Sequence, residues 1–289
     1  DPTAPTWAGE LELPGFRYPD AYFFVTLSAF WRGDVLYVPM GLNGLYVVDV
    51  TDPTNASILR QVPGDALLSG SFHAVGDVGM LSNAGMSLTR FYDLSDPTDP
   101  QPLGGGEWDT FDEPNDKQIP YYFANMGGRY ALFARKGNGG GPLIYDVSDP
   151  TRPTFQGHLH QPIATGAEGG YISRHHDHVF QGEGAFGGVY DITDPSAIEQ
   201  VGEFLLPGDL DTVSPLGNVA AVSVDHGARD GTSTILVPWQ AQVDTRGPTA
   251  EWFRPADGQL GVGAGSVGRS WYGGISMSSK FMKALRVVE

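Results

Sequence analysis

Three of the seven histidines in this chain lie in the segment YISRHHDHVF, residues 171–180. Imidazoles two positions apart on an extended strand share a face and can chelate one transition-metal ion. His176 and His178 have that spacing, with Zn, Cu or Fe as the implied metal and metal-dependent catalysis as the implied chemistry. A hydrogen-bonded polar turn is the alternative interpretation. The candidate metal ligands are His175, His176, His178, His73 and His226.

A second group of residues could bind a harder cation. The segment GEWDTFDEPNDK, residues 106–117, is dense in carboxylates, and oxygen ligands of this kind suit Ca²⁺. The segment lacks the residue order of an EF-hand loop, so a solvated acidic loop is the alternative. Its position ahead of a predicted inner strand places it in a loop at the rim of the fold. The candidate calcium ligands are Asp109, Asp112, Glu113 and Asp116.

Charge and composition exclude several functions. The formal charge is −17, from 34 acidic and 17 basic residues, which argues against nucleic acid and anionic membrane surfaces as partners. Cysteine is absent, so a disulfide, a thiol nucleophile or a cysteine-ligated metal is excluded. The sequence has no Gly-x-Ser-x-Gly element to support serine hydrolysis and no apolar run long enough to predict a transmembrane segment.

Four copies of one motif organise the chain. Each has an apolar pentad that ends in Asp, followed by an aliphatic residue, Ser or Thr, and Asp-Pro. The pentad is apolar on both faces, which predicts a strand covered on both sides, while the Asp-Pro predicts a turn that ends it. The copies are LYVVDVTDPTNAS (45–57), TRFYDLSDPTDPQ (89–101), PLIYDVSDPTRPT (142–154) and GGVYDITDPSAIE (187–199). The predicted structural turn residues are Asp52, Asp96, Asp149 and Asp194.

The spacing of the motif predicts an all-β chain built as a β-propeller. Gly-Asp and Gly-Gly turns between the copies give four short antiparallel strands per unit, and six units of about 48 residues fill residues 1–289 as a single domain. The last segment, ALRVVE (284–289), has the pattern of a pentad whose Asp-Pro stands at the beginning of the chain. Pairing of the N- and C-terminal strands would therefore close the ring and remove its edges. Seven blades are the alternative.

The pentads at 45–49, 142–146 and 187–191, with their Asp-Pro tails, resemble the LVIVD repeat family of secreted and surface-attached bacterial and archaeal proteins. The resemblance implies a propeller in an extracytoplasmic location, and it implies no particular reaction. We therefore expect a binding or scaffold module whose partner is a protein or a glycan, either free or peripheral to a surface or membrane complex. A metal-dependent enzyme with a histidine-ligated ion at the central channel is the alternative.

Overall fold

All the regular structure beyond one short turn of 3-10 helix is β-strand in the described part of the computed structural model, which confirms the all-β prediction. The described residues are 7–17, 28–64, 69–83, 88–103, 108–109, 121–135, 141–159, 171–216, 219–224, 234–238, 264–267, 270–272 and 274–276. No helix in these ranges combines the length and hydropathy needed to cross a bilayer.

Three successive sheets of antiparallel strands follow the repeat. Sheet 1 contains β1 (Ser28–Arg32), β2 (Val35–Pro39), β3 (Leu45–Asp49) and β4 (Ser57–Val62), with the 3-10 turn at Pro53–Asn55. Sheet 2 contains β5 (Ser69–Val75), β6 (Val78–Asn83), β7 (Leu88–Asp93), β8 (Gln101–Pro102) and β9 (Trp108–Asp109). Sheet 3 contains β10 (Tyr121–Gly127), β11 (Tyr130–Arg135), β12 (Pro142–Asp146) and β13 (Thr154–His158).

The C-terminal half of the chain begins with a fourth sheet. Its five strands are β14 (Tyr171–His175), β15 (His178–Asp191), β16 (Glu199–Leu216), β17 (Val219–Val224) and β18 (Thr234–Pro238). Two further strands, β19 (Ala264–Val267) and β20 (Ser270–Tyr272), pair with each other, and β21 (Gly274–Ser276) pairs with β1 of sheet 1. The sequence expectation that 284–289 pairs with the N-terminus concerns residues outside the described ranges.

Strand β15 contains a reversal that makes sheet 4 resemble the others. Fully extended, its 14 residues would span about 45 Å. The amide of Ile192, just after its end, nevertheless donates to the carbonyl of Asp177, just before its start, at 2.7 Å. The two halves of β15 therefore lie side by side, like β2 and β3. The same bond joins Val50 to Asp34, Leu94 to Asp77 and Val147 to Arg129.

The sheets pack face to face, which explains why each pentad is apolar on both sides. In β3, Leu45 and Val47 belong to the core between sheets 1 and 2, whereas Tyr46 and Val48 belong to a core on the other face of sheet 1. Leu11 and Leu13 of the N-terminal segment pack against that second core. Cores of the same kind lie between sheets 2 and 3 and between sheets 3 and 4.

Hydrogen bonds link the first strands of neighbouring sheets. The Ser28 hydroxyl on β1 donates to the Gly70 carbonyl on β5 at 3.2 Å. The Ala124 amide on β10 donates to the Ser71 hydroxyl on β5 at 3.1 Å. Arg174 on β14 makes the corresponding contact with β10. The first strands β1, β5, β10 and β14 therefore lie in sequence along one side of the stack, as the inner strands of propeller blades do.

One element differs from its sequence-based placement. Trp108 and Asp109, expected in a rim loop, form the two-residue strand β9, which pairs with Leu88 and Thr89 of β7. The pairing extends the outer edge of sheet 2 beyond β8, whose two residues cover only the far end of β7. The start of β7 therefore keeps unpaired backbone groups at the edge of sheet 2, and the two residues of β9 pair with them.

Candidate functional site

The histidine-rich segment forms a hairpin between the first two strands of sheet 4. His175 and His178 are directly paired across β14 and β15, so His176 and Asp177 are the two loop residues. Sheets 1 to 3 have two-residue loops at the same place. A positive φ at the first loop residue only, as here, is the pattern of a type II′ turn. The first loop residues, with their φ angles, are Gly33 (58°), Gly76 (55°), Gly128 (59°) and His176 (52°).

His176 is therefore a histidine in a position that glycine fills three times. It is the only non-glycine residue with a positive φ in the described part of the chain. A side chain in this backbone region costs on the order of 1–3 kcal/mol, so residues of this kind persist where the surrounding structure enforces them. A residue that keeps its side chain in a strained backbone conformation is a candidate for a functional role.

Arg174 holds the backbone of this hairpin in place. Its Nε donates to the His176 carbonyl at 2.6 Å, and its Nη1 donates to the Gly127 carbonyl of sheet 3 at 2.7 Å. Its Nη2 lies 4.0 Å from a carboxylate oxygen of Asp177. One half-buried guanidinium therefore fixes the turn and ties sheet 4 to the first hairpin of sheet 3. This role of Arg174 has no signature in the sequence.

The three imidazoles of the hairpin differ in exposure. His175 is 4% exposed, His176 is exposed and His178 is half-buried. The rings of His175 and His176 are nearly perpendicular, with centroids 4.9 Å apart. Burial, reinforced by the nearby His176 and His178, lowers the pKa of His175 to about 4. Burial also lowers the pKa of His178, although Asp191 and Asp177 act in the opposite direction. Both side chains are therefore neutral at pH 7.

His73 occupies a different place, in β5 of sheet 2. It is 6% exposed, its ring centroid lies 5.6 Å from that of Phe30, and its Nδ1 is buried without a hydrogen-bond partner. Burial lowers its pKa to about 4. His226 lies outside the described residues. Among the described residues, no three His, Asp or Glu side chains are placed to hold one metal ion.

Polar residues recur at the level of His73 in the first strands. Counting back three positions from the first loop residue gives Phe30 in sheet 1, His73 in sheet 2, Asn125 in sheet 3 and Ser173 in sheet 4. All four are buried. At this level the first strand has an apolar residue in sheet 1 and a polar residue in sheets 2 to 4. The apolar–polar alternation within a single strand does not predict this difference.

The four aspartates predicted to form turns all accept hydrogen bonds just after the third strand. Asp52 accepts from the Thr54 amide at 2.9 Å and from the Thr54 hydroxyl at 2.6 Å. These bonds, the hydroxyl first, lower the pKa of Asp52. Asp96, Asp149 and Asp194 make the same pair of bonds with Thr98, Thr151 and Ser196.

The aspartate that ends each pentad makes a similar turn bond. Asp49 accepts from the Thr51 amide at 2.8 Å, and bonds of the same length join Ser95 to Asp93, Ser148 to Asp146 and Thr193 to Asp191. Each repeat therefore has two consecutive side-chain turns, spaced three residues apart. They explain why the motif places an acid at both positions.

These turns and the first hairpins form one rim of the stack, which we call the hairpin rim. It consists of residues 33–34, 76–77, 128–129 and 176–177 together with the turns at 52–55, 96–99, 149–152 and 194–197. Two ion pairs connect strands of sheet 1 to this rim in sheet 2: Arg32 pairs with Asp77 at 3.0 Å, and Arg60 pairs with Asp99. Of the calcium candidates, Asp109 lies in β9, and Asp112, Glu113 and Asp116 lie outside the described residues.

Sequence reasoning also missed the buried amide of Gln181. Gln181 in β15 is 1% exposed, and both polar atoms of its amide are buried without partners. Counted from the hairpins, it stands where sheets 1 to 3 have Val38, Leu81 and Phe133, all of which are buried. Aligning the second strands of the repeats would have revealed this substitution of an amide for an apolar side chain.

Comparison with known proteins follows the repeat. The family model of the LVIVD repeat matches residues 31–62 and 127–160, which include β3 and β12 with their Asp-Pro turns. No curated protein matches the sequence.

Solved structures share the fold at low sequence identity. A Lactobacillus plantarum protein aligns with a TM-score of 0.56 and 13% identity over 70% of this chain and 63% of its own length. A Bacteroides uniformis protein described as a candidate 6-phosphogluconolactonase aligns at 0.53 and 12%, over 71% and 67%. The beta-propeller domain of Myceliophteria thermophila Cps50 (Swd1) aligns at 0.46 and 11%, over 72% and 68%. The chain spans less than two thirds of the length of the Lactobacillus protein.

Proposed function

We propose that this chain, in which residues 31–62 and 127–160 match the LVIVD repeat, acts as an extracytoplasmic β-propeller that binds a protein partner and scaffolds it. In this proposal residues 1–289 form a single ring of six four-stranded blades. The repeats and the stack of antiparallel sheets support the propeller. The family resemblance supports the extracytoplasmic location.

The observation that carries the binding role is the contrast between the two rims. On the hairpin rim of sheets 1 to 4, each first hairpin has two loop residues and each Asp-Pro turn has the same bonds. At the opposite rim, β4, β9 and β13 end and β5, β10 and β14 begin, and the sequence segments between these strand ends, 63–68, 110–120 and 159–170, differ in length and composition. Variable connections on a regular scaffold are the usual location of recognition residues.

The strong negative charge favours a partner with a complementary basic surface. A formal charge of −17 speeds association with cationic surfaces and repels anionic ones. We therefore assign the partner to the class of basic extracytoplasmic proteins. A glycan that stacks on the aromatic residues near the C-terminus, such as Trp271 and Tyr272, is the other outcome to be tested.

Partner capture with rim-specific variants tests the proposal. The full chain is immobilised and exposed to the extracellular and surface fractions of its source organism. One variant replaces residues 160–170 with a Gly-Ser linker of equal length, and a matched control changes the hairpin rim through Asp34→Asn. We expect the linker variant to lose the captured protein at unchanged melting temperature, and the control to retain it.

Three outcomes would overturn this assignment. Loss of the partner in the Asp34→Asn control but not in the linker variant would move the binding surface to the hairpin rim. Capture that is abolished by free oligosaccharide would identify a glycan as the ligand. Detection of the native chain in the cytoplasm after cell fractionation would contradict the proposed location.

Ring closure is tested separately. The N-terminal segment lies on sheet 1 as an outer strand would lie on the next blade, with the Tyr46 hydroxyl donating to the Pro14 carbonyl at 2.6 Å. Contacts of β19 with β14 and of β20 with β1 also support a closed ring. Deletion of residues 284–289 should therefore reduce the cooperativity of unfolding of the whole chain. A deletion variant with an unchanged urea transition would rule out closure by this segment.

A further inference from the structure

We propose that Asn55, in the Asp-Pro turn of sheet 1, accepts an N-linked oligosaccharide. It begins the triplet Asn55-Ala56-Ser57, which has the Asn-x-Ser pattern of a glycosylation acceptor with a middle residue other than proline. No other asparagine in the sequence has Ser or Thr two positions later. The inference rests on the extracytoplasmic location proposed above, because membrane-bound enzymes transfer oligosaccharides to such triplets outside the cytoplasm.

The Asp-Pro turn keeps its geometry whichever side chain stands at position 55. Asp52 accepts from the amide and the hydroxyl of Thr54, and Asn55 contributes its backbone amide, which donates to the Asp52 carbonyl at 2.9 Å. The same backbone bond is made in sheets 2 to 4 by the amides of Asp99, Arg152 and Ala197. Four different side chains therefore occur at one position of the same turn, so a modified side chain there would leave the turn intact.

The acceptor triplet is accessible and extended. Asn55 and Ser57 are exposed, and Ala56 between them is half-buried. The 3-10 turn ends at Asn55, and Ala56 has an extended backbone (φ −59°, ψ 143°), so the chain passes directly into β4. Residues two positions apart in an extended chain point to the same side. The acceptor amide and the hydroxyl of the triplet are thus offered together to a transferring enzyme.

The position also has room for a bulky, hydrated group. Asn55 belongs to the hairpin rim and ends a run of exposed residues, 51–55. Ser57 begins β4, the terminal strand of sheet 1 in the described part of the chain, so no neighbouring strand of that sheet has to move. An oligosaccharide on Asn55 would hydrate the hairpin rim and leave the proposed partner surface, on the opposite rim, uncovered.

The transfer requires a lipid-linked oligosaccharide as the donor. A bond forms between Nδ2 of Asn55 and the anomeric carbon of the first sugar, while the bond between that carbon and the phosphate oxygen of the donor breaks. The lipid phosphate leaves with the electron pair of the broken bond, and one proton of the amide passes to a base of the transferring enzyme. No oxidant or reductant takes part.

Glycopeptide mass spectrometry of the full chain, isolated from the surface and extracellular fractions of its source organism, tests the inference. Trypsin releases residues 33–60 as one peptide, because Arg32 and Arg60 are consecutive cleavage sites. We expect this peptide to carry the mass of an oligosaccharide, which electron-transfer fragmentation should locate on Asn55. Asn55→Gln and Ser57→Ala should each remove the oligosaccharide completely, whereas Ser57→Thr keeps the acceptor pattern and should retain it.

Asn43 is a matched control in the same peptide, since it is followed by Gly44 and Leu45 and lies outside any acceptor triplet. Asn43→Gln should leave the oligosaccharide in place, and thermal unfolding of each variant checks that it is folded. An unmodified Asn55 in chain recovered outside the cytoplasm would overturn this inference while leaving the proposed partner binding intact. An oligosaccharide that persists in Asn55→Gln would overturn it too. Recovery of unmodified chain from the cytoplasm alone would overturn both this inference and the proposed location.

Discussion

The Asp-Pro turns and the first hairpins lie on the same rim but differ in which features recur from sheet to sheet. In all four turns, the backbone and the side-chain bonds are the same. In the four hairpins only the backbone is the same, and the loop residues change from Gly-Asp in sheets 1 and 2 to Gly-Arg in sheet 3 and His-Asp in sheet 4. The turns therefore repeat the same side-chain bonds from sheet to sheet, whereas the hairpins vary theirs: Asp77 pairs with Arg32 of sheet 1, and Arg129 pairs with Asp146 of its own sheet.

The largest effect should come from filling the space beside a turn. A methyl group on Gly157 of β13 would overlap the carbonyl oxygen of Pro195, in the Asp-Pro turn of sheet 4. Because backbone rather than a flexible side chain is in the way, Gly157→Ala should lower the free energy of unfolding by about 3 kcal/mol in urea denaturation.

Its control is an alanine in a hairpin. Gly128 has a φ of 59°, and the space that an alanine methyl group would occupy there is open. Gly128→Ala should therefore cost only about 1 kcal/mol, from backbone conformation alone. Equal losses in the two variants would show that the turns are no more tightly packed than the hairpins.

Buried His73 should make stability depend on pH. Its pKa is about 4 in the folded chain against 6.5 in the reference state, so the unfolded chain takes up a proton first as the pH falls. His73 does not change the free energy of unfolding above pH 6.5. Its destabilising effect grows as the pH falls from 6.5 to 4 and is constant below pH 4. Between about pH 7 and pH 4.5 it should amount to about 2–3 kcal/mol.

The test variant is His73→Asn, which introduces the residue type that sheet 3 has at the equivalent position, Asn125. Urea denaturation at about pH 7 and pH 4.5 should show that the variant loses less stability on acidification than the unmodified chain, by that amount. A variant with the same pH dependence as the unmodified chain would show that His73 is solvated.

The turn aspartates should contribute more to stability than the hairpin aspartates. Asp52→Ala removes the acceptor of two bonds from Thr54 and should lower the melting temperature by about 2–4 °C. Asp34→Ala, in the hairpin of sheet 1, leaves the bond to its own carbonyl intact and should change the melting temperature little. A larger loss in Asp34→Ala than in Asp52→Ala would reverse this ranking of the two aspartates.

Local patterns predicted much of this fold, and packing between sheets determined the rest. Alternating apolar residues, Gly-containing hairpins and Asp-Pro turns are decided within about ten residues, so the repeat indicates strands and turns directly. Gln181 is buried on the face of sheet 4 that meets sheet 3, and His175 is buried on the opposite face. Both burials depend on what packs against each face, and the sequence of a single strand does not record this. The pairing of β9 with β7 likewise depends on a free edge formed elsewhere in the chain.

The smallest effect concerns the residue that distinguishes the fourth hairpin. His176→Gly should raise the free energy of unfolding by about 1 kcal/mol, because glycine adopts a positive φ without steric cost. The reciprocal change, Gly76→His in sheet 2, should lower it by a similar amount, since the same turn there has open space but the same φ requirement. Urea denaturation of the two variants without added metal measures both changes in the free energy of unfolding. If His176→Gly is instead destabilising, the imidazole makes contacts that outweigh its backbone strain, and the hairpin of sheet 4 uses its side chain to fold, as the turns do.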